Sequence, residues 1–420
     1  MDLSIVIPAL NEGENLKTLL PEIRKSIAAL ALESEILVVT QDRDPLTDEA
    51  AAASGARVIK QVERGYGGAL LAGFATAGGA YILTMDADFS HQPSFIRDLW
   101  AARDRAEVTI ASRYCPGGSA RMPLGRFLLS RVLNVVFGRG LSLATRDFSS
   151  GFRLYKSPVV RDESFESCDF NILQEILVRA YARGWRVAEV PFAYTPRRHG
   201  SSNARIIRFG LAYMRTFLKL WKYRNSIQSA DYDDRAYNSP IVFQRLWQRK
   251  RCRHVGDLIA GQGRVLDVGC GSSRIIGLLP PGSVALDILL PKLRYSRKFS
   301  QWLVRGSALQ LPFRDGLFPC VLCSEVIEHL PRESAVLAEL ERVLAPGGRL
   351  VLGTPDYGRW EWRAIERIYE KVVPGGYAEE HVGHYTKGDL IRHFQARGYV
   401  HEETRTIFRG EMILAFRKKG

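Results

Sequence analysis

Residues 80–93 read Ala-Tyr-Ile-Leu-Thr-Met-Asp-Ala-Asp-Phe-Ser-His-Gln-Pro. A short apolar run ends in two carboxylates, Asp86 and Asp88, at i and i+2. A run this apolar, without polar alternation, is the pattern of a strand buried on both faces. Acids just past such a strand lie at its C-terminal end, where open α/β sheets place their ligands. Similar runs stand on either side: LSIVIPAL (3–10), EILVVT (35–40), ARVIK (56–60) and EVTIAS (107–112), separated by helix-length segments. That order predicts a mainly parallel sheet with helices on its faces. The pattern starts again after residue 260, with GRVLDVGCG (263–271), GSVALDI (282–288), PCVLCSE (319–325) and GRLVLGTP (348–355). The expected organisation is therefore α/β throughout: one domain over 1–224, a polar linker over 225–240, and a second domain over 241–420.

The composition is that of an ordinary globular chain, with 46% hydrophobic and 25% charged residues among 420, which excludes a mostly disordered polymer. The formal charge of +14 is unevenly placed. Residues 197–254 hold fourteen Lys/Arg and three Asp, a net +11, which leaves +3 for the other 362 residues. One local basic segment suits an anionic partner that touches one place. No basic leader precedes an apolar stretch, and no run approaches the ~18 apolar residues of a membrane span. Six Cys do not make a disulfide framework; they are expected as reduced thiols. Cys320 and Cys323 form a single C-x-x-C inside an apolar run, and a zinc site needs four ligands.

An Asp-x-Asp alone is more often a solvated turn than a metal site, and its surroundings decide. IVIPALNEGENL (5–16), ERGYGGALLAG (63–73), MDADFSHQP (85–93), ASRY (111–114), SRVLN (130–134), DFSSGFRLYK (147–156) and VPFAYTPRRHGSSNAR (190–205) follow one another across half the chain. Together they resemble the family 2 inverting glycosyltransferases, nearest the dolichol- or polyprenyl-phosphate mannosyltransferase group. The resemblance implies a GT-A domain, Rossmann-like, that takes a nucleotide-sugar donor and Mg²⁺ or Mn²⁺. Pro8, Leu10, Asn11 and Glu12 would line the base and ribose pocket. Asp86 and Asp88, with Ser90 beside them, would hold the metal and the diphosphate. Arg113 and Arg131 would meet the acceptor phosphate, with Ser150 and Gly151 near the acceptor. Arg197 and Ser202 would belong to a loop closing over the donor diphosphate. Gly65, Gly67 and Gly68, ahead of a helix N-terminus, would let backbone N–H groups approach the donor. His91 is not required as a base, because a phosphate-monoester acceptor is already nucleophilic near neutral pH and needs positioning and charge stabilisation.

The chain departs from the family pattern twice. The acidic motif after the second strand is Thr40-Gln41-Asp42-Arg43-Asp44-Pro45, with Asp42 the best substitute for the base-contacting acid. Asn203 stands where the family's loop has Lys. Two alternatives stay open: an acceptor that is not a phosphate, and a degenerate glycosyltransferase scaffold that docks the second domain at a membrane.

The loop leads into ARIIRFGLAYMRTFLKLWKYR, expected as an amphipathic basic helix over 204–222. Arg208, Arg215 and Lys219 interrupt its apolar residues. Such a helix reads as lying in a membrane interface, with anionic lipid adding about 1 kcal/mol per nearby cation; the plainer alternative packs its apolar face on its own domain. The cluster RLWQRKRCRH (245–254) has no aromatic platform or helix-turn-helix pattern beside it, so no nucleic acid is expected.

In the second half, Asp267 ends a strand before Gly269 and Gly271, and Asp287 follows twenty residues later. An acid at that distance can bind a ribose. A dinucleotide turn wants a third Gly where Arg274 stands. With GSALQLPF (306–313), CVLCSEVIEHL (320–330) and ELERVLAPGGRLVLGTP (339–355), the region resembles class I S-adenosylmethionine-dependent methyltransferases. The resemblance implies that Asp267, Gly269 and Gly271 cradle the methionine part. Asp287 and Ile288 would bind ribose and adenine, with Ser307 and Ala308 at the adenine and Ser324 at the cofactor edge. His381 or His384, in YAEEHVGHYT (377–386), could serve as the base for a hydroxyl acceptor. His329, in VIEHL, reads as structural. The expectation is a bifunctional enzyme, cytoplasmic and peripherally associated with the inner face of the cell membrane. It would transfer a hexose, mannose or glucose, to a polyprenyl (dolichol or undecaprenyl) phosphate. It would also methylate a hydroxyl, in glycan or cell-envelope synthesis.

Overall fold

The computed structural model describes residues 1–420 except Arg43, 195–205, 300–301 and 373–380; the side chains of Arg126, 206–212 and 368–372 are likewise outside the description. The chain forms two compact units, Met1–Tyr181 with Trp185–Arg224, and Ala182–Gly184 with Asn225–Gly420.

The first unit carries strands β1 (Leu3–Pro8), β2 (Ser34–Thr40), β3 (Arg57–Lys60), β4 (Tyr81–Thr84), β5 (Val108–Ser112), β6 (Ser119–Ala120), β7 (Arg153–Lys156), β8 (Val187–Pro191) and β9 (Ala193–Tyr194). Seven of them form one sheet in the order β3-β2-β1-β4-β7-β5-β8, while β6 and β9 pair apart. β7 alone runs antiparallel, between β4 and β5. In β1, Ile5 and Ile7 enter one core and Val6 the other. Both faces of the strand are covered, which is why its sequence reads as an unbroken apolar run. Because β1 and β4 are parallel, the loops after Pro8 and Thr84 leave the same edge of the sheet. That edge carries Asn11 and the two acids.

The second unit carries β10 (Val265–Val268), β11 (Val284–Asp287), β12 (Leu303–Arg305), β13 (Phe318–Ser324), β14 (Leu344–Pro355), β15 (Tyr399–Ile407) and β16 (Glu411–Lys418). Their order is β12-β11-β10-β13-β14-β16-β15, parallel as far as β14, then antiparallel through β16 and β15. This is the Rossmann-like arrangement expected. Cys320 and Cys323 lie in different cores, on opposite faces of β13. Odd spacing on a strand points the two thiols apart, so they cannot share one ion.

The basic helix runs Ile206–Arg224. Residues 225–240, read from sequence as a linker, lie with the second unit and include a helix, Tyr232–Tyr237. Among the described residues no helix is long and apolar enough to cross a membrane.

Candidate active sites

At the sheet edge of the first unit, Pro8 ends β1 and Leu10 stands exposed beside it. Asn11 takes a positive φ of 57°, a conformation Asn tolerates better than most residues. What holds this bend is Asp44. Its Oδ2 accepts from Asn11 N at 2.6 Å, while its other oxygen caps the helix Pro45–Ala53 at Thr47 N. Glu12 N donates to Thr47 Oγ1 at 3.1 Å, and Glu12 Oε2 accepts from Asn15 Nδ2. Asp42, the expected substitute acid, lies exposed in the turn, whereas Asp44 is buried. The signal for Asp44 was the Pro after it, since Asp before a first-turn Pro is a helix N-cap pattern.

Asp86 and Asp88 follow β4 as expected. Asp88 is buried and its Oδ1 accepts from Ser90 N at 3.0 Å. Asp86 is one-third exposed. Tyr66 Oη donates to Asp86 Oδ1 at 3.1 Å, and Asp86 N donates to His91 Nδ1 at 2.9 Å. His91 Nε2 therefore carries the proton of the neutral ring and faces Asp86 Oδ2 at 3.7 Å. Burial pushes the His91 pKa down, against the pull of Asp86 and Asp88, and the ring stacks on Phe152 at 4.8 Å. His91 orients the acidic loop as a neutral side chain. Gly151 lies against this pair: a Cβ there would stand 2.4 Å from Tyr66 Oη and 3.4 Å from Asp86 Oδ1.

The expected role of Gly67 is not the one the structure gives it. Its missing side chain makes room for the chain itself, since a Cβ would stand 2.6 Å from Ser167 O and from Cys168 C. Gly68 N donates to Cys168 O at 3.1 Å rather than pointing outward. The glycines let residues 167–169 close on the helix Tyr66–Thr76.

Arg113, expected at the acceptor phosphate, is committed within the protein. Its Nε and Nη2 bind Asp147 at 2.8 and 2.7 Å, and Nη2 also reaches Ser149 Oγ at 2.7 Å. Asp147 is fully buried and also accepts from the backbone N of Arg113, Ser149 and Ser150. Against the cost of burial, Arg113 and these bonds hold its pKa below the usual range. Ser150 and Gly151 thus owe their placement to Asp147. Arg131 is different: it is exposed on the helix Leu124–Gly140, with its guanidinium 5.4 Å from the Tyr114 ring. That helix exposes Leu124, Leu128, Leu129, Val132, Val135 and Val136, an apolar stripe that sequence reading passed over. Phe217 of the basic helix packs on Phe137 at 5.4 Å, and Met214, Leu218 and Trp221 beyond it are exposed. Lys219 pairs with Glu166. Arg197 and Ser202 lie outside the described residues.

In the second unit, Asp267 lies one residue before the end of β10 and is buried. Burial first, then neighbouring Asp287, pushes its pKa up to about 7. Asp287 accepts from Gly271 N at 2.8 Å and from Leu289 N at 2.7 Å. Gly269 has φ 73° and Gly271 φ 57°, the region that favours glycine. Ile288 is exposed beside Asp287, where a flat ring could lie on it. Ser307 Oγ accepts from Leu309 N at 3.2 Å, Ala308 is half-buried, and Ser324 Oγ is buried without a hydrogen-bond partner. Asp233, from the supposed linker, was missed: its carboxylate accepts from Ser272 N at 2.9 Å and pairs with Lys292 at 3.0 Å, fixing the glycine turn. Of the two candidate bases, His381 is a poor one, its pKa pushed down to about 4 by burial, with His329 and His384 adding to it. His384 is exposed and stacks on Tyr357 at 4.1 Å.

The sequence model of Glycosyl transferase family 2 matches residues 4–162, and that of a methyltransferase domain matches residues 266–352. A dolichol-phosphate mannosyltransferase of Pyrococcus furiosus is 32% identical over 237 residues, 54% of this chain and 66% of that protein. A polyprenol monophosphomannose synthase of Mycolicibacterium smegmatis is 33% identical over 216 residues, 47% of this chain and 79% of that protein. A solved glucosyl-3-phosphoglycerate synthase of Mycobacterium tuberculosis is 19% identical, with a TM-score of 0.41 over 53% of this chain and 79% of that one.

Proposed function

The chain belongs to glycosyl transferase family 2 and carries a methyltransferase domain, and from that premise we propose a bifunctional transferase working at a membrane surface. The first unit moves a hexose, mannose or glucose, from a nucleotide sugar to a polyprenyl phosphate with inversion. The second methylates a hydroxyl from S-adenosylmethionine, on the same glycan or a related envelope intermediate. The names of the two relatives support the first activity. The observation that carries it is the pair Asp86 and Asp88 at the end of β4, oriented by Tyr66 and His91 and closely covered by Gly151.

Two oxygen-donor carboxylates suit a hard divalent cation, and a bound Mg²⁺ or Mn²⁺ would neutralise charge on the departing diphosphate. The Tyr66 hydroxyl fixes the rotamer of Asp86, and His91 fixes its backbone. Inversion is one displacement: the sugar C1–O bond to the nucleoside diphosphate breaks as the bond from C1 to an acceptor phosphate oxygen forms. Arg131, exposed and free of an internal carboxylate bond among the described contacts, is the cation for that phosphate. Arg113 acts at one remove, by holding Asp147 and the loop of Ser150 and Gly151.

Two neighbouring helices with exposed apolar side chains support a lipid-facing surface. Leu128, Leu129 and Val132 lie on one, Met214, Leu218 and Trp221 on the other, with Arg131 and Arg215 among them. A polyprenyl acceptor is embedded in lipid, and this surface would bring its phosphate to Arg131. On this reading a unit that draws on a soluble nucleotide sugar stands at the cytosolic face.

In the second unit, Gly269, Gly271 and the lone pairs left on Asp287 fit the cofactor's methionine and ribose parts. The methyl C–S bond would break as the O–C bond forms, and the hydroxyl proton leaves to solvent or to His384. The test is direct. Protein, Mg²⁺, polyprenyl phosphate and each common sugar nucleotide are incubated, and a lipid-linked sugar is sought, with and without S-adenosylmethionine. Failure of every donor to react while nucleotide sugar still binds would favour a docking scaffold; failure to bind any would sink the first-unit assignment. A product left unmethylated in all cases would remove the shared substrate.

A further inference from the structure

After β13 the chain makes one 3₁₀ turn, Ile327–His329, and residues 381–386 return across it. Two backbone bonds pin the return: Val382 N and Gly383 N both donate to the Glu328 carbonyl at 2.8 Å. Gly383 permits the approach, because a Cβ there would stand 2.5 Å from Leu330 O and 2.7 Å from Ile327 O. This crossing sets the ring of His381 5.0 Å from that of His329. One ligand atom each from Glu328, His329 and His381 lie within 4.8 Å of one another, the one such His/Cys/Asp/Glu cluster among the described residues.

Two further observations point to a ligand. Glu328 is fully buried. Its Oε2 accepts from Thr354 Oγ1 at 3.1 Å, but Oε1 has no hydrogen-bond partner, an arrangement costly enough to call for an occupant. His381 is aimed through its other nitrogen. Nδ1 lies 2.8 Å from Tyr357 Oη, and Tyr357 Oη donates to Glu366 Oε1 at 2.9 Å. With the phenol donating to Glu366, Nδ1–H of the neutral ring donates to Tyr357 Oη, and the Nε2 lone pair is left for a cation. Metal-binding histidines are held in this way, by a hydrogen bond on the far side of the ring.

We propose that Glu328, His329 and His381 bind one divalent transition-metal cation. Two imidazoles and one carboxylate are a donor set for Zn²⁺, Mn²⁺, Co²⁺ or Fe²⁺. Three protein ligands leave a coordination position open. A hydroxyl oxygen of the methyl acceptor placed there would be oriented and made more acidic. That use of the site rests on the O-methylation reading above; the binding of the cation does not.

The full chain is stripped with chelator and titrated with Co²⁺, with Asp86→Asn in the background to remove the first unit's oxygen-donor site. Expected are one Co²⁺ per chain by calorimetry and a visible absorption band of a nitrogen-ligated ion. Glu328→Gln and His381→Ala should each weaken binding at least tenfold and abolish the band. Tyr357→Phe should weaken it about tenfold or more while keeping the band. Circular dichroism and thermal unfolding, measured in every variant, report that the protein is folded, and S-adenosylmethionine binding is measured on the parent. No cobalt bound by the parent, or undiminished cobalt binding in a folded His381→Ala, overturns the site and leaves the methyltransferase reading standing. Cobalt bound as expected by a protein that does not bind S-adenosylmethionine supports the site and defeats that reading instead.

Discussion

Adding one methyl group at Gly151 should separate the geometry of the Asp86 site from its mere composition. Gly151 does not take a positive φ, so Ala costs no backbone strain there. Its Cβ would, however, stand 2.4 Å from Tyr66 Oη. Relaxing that contact to about 3.5 Å moves the hydroxyl by about 1 Å. The 3.1 Å bond from Tyr66 to Asp86 would not survive such a shift. Overpacking of this kind costs about 1–3 kcal/mol, a fall of about 4–8 °C in Tm for a unit of this size at the middle of that range. A misplacement of about 1 Å at a reacting group costs about a hundredfold in rate. The ring carbon that bears the hydroxyl is 3.6 Å from the same Cβ, an ordinary contact. Tyr66→Phe should therefore relieve the clash, and the double variant should be as stable as Tyr66→Phe alone. The assays are thermal unfolding and hexose transfer to polyprenyl phosphate. A Gly151→Ala protein with unchanged Tm and rate, or a double variant whose losses simply add, would refute the reasoning.

Asp147→Asn leaves Arg113 buried and unpaired, and should destabilise the first unit by about 3–5 kcal/mol. A carboxylate whose folded pKa is depressed stabilises above its unfolded value and loses that contribution as pH falls through the folded one. Acid unfolding of the parent should therefore steepen below about pH 4, and an equally steep variant would count against the pair. For Asp267, pushed up to about 7, the sign is reversed: folding gains from its proton at low pH, and the gain is lost as pH rises through about 7. Asp267→Asn should make the second unit more stable at pH 8 and flatten its stability between pH 5 and 8, while removing cofactor binding; a calorimetric profile that keeps the slope refutes this. Leu128→Ser, Leu129→Ser and Val132→Ser together remove half-exposed side chains worth about 1 kcal/mol each when covered. Sedimentation with anionic vesicles should show affinity about a hundredfold lower with Tm unchanged, and equal vesicle binding would remove the helix Leu124–Gly140 from the lipid-facing surface.

What could be read from the sequence was what burial writes into it. β1, β4, β10 and β13 are covered on both faces, so their apolar runs announced them, and the acids at their ends came with them. β7 did not announce itself, because Arg153-Leu-Tyr-Lys156 has a cation at each end. Arg153 is nonetheless fully buried, and it donates to the carbonyls of Leu173 and Phe148. Asp233 looked like linker charge because its partners Ser272 and Lys292 lie 39 and 59 residues away. The stripe Leu124, Leu128, Val132, Val135 has helical spacing and was visible. Whether such a face is packed or left open is a tertiary fact that spacing does not contain. The commitment of Arg113 to Asp147 is of the same kind: a phosphate-binding arginine and an arginine that holds a loop have identical sequence motifs.

The acids themselves indicate what each unit is built to receive. In the first unit the deepest carboxylate, Asp147, already has its cation in Arg113, and it serves as scaffold. Asp86 keeps one-third of its side chain in solvent, which leaves it open to the cation proposed above. In the second unit Asp267 is buried with a second acid, Asp287, as the neighbour that raises its pKa, and Asp287 spends hydrogen bonds on the glycine turn and Leu289. Among the described residues only one buried cation, Lys292, held by Asp233, stands near this pair, and two acids sharing one cation are better matched by a ligand that brings positive charge than by an anionic one. S-adenosylmethionine brings an ammonium and a sulfonium against one carboxylate, whereas a dinucleotide brings the negative charge of its diphosphate to that turn. The electrostatics thus supports the proposed S-adenosylmethionine over a dinucleotide on grounds independent of Arg274, on which the sequence distinction rested.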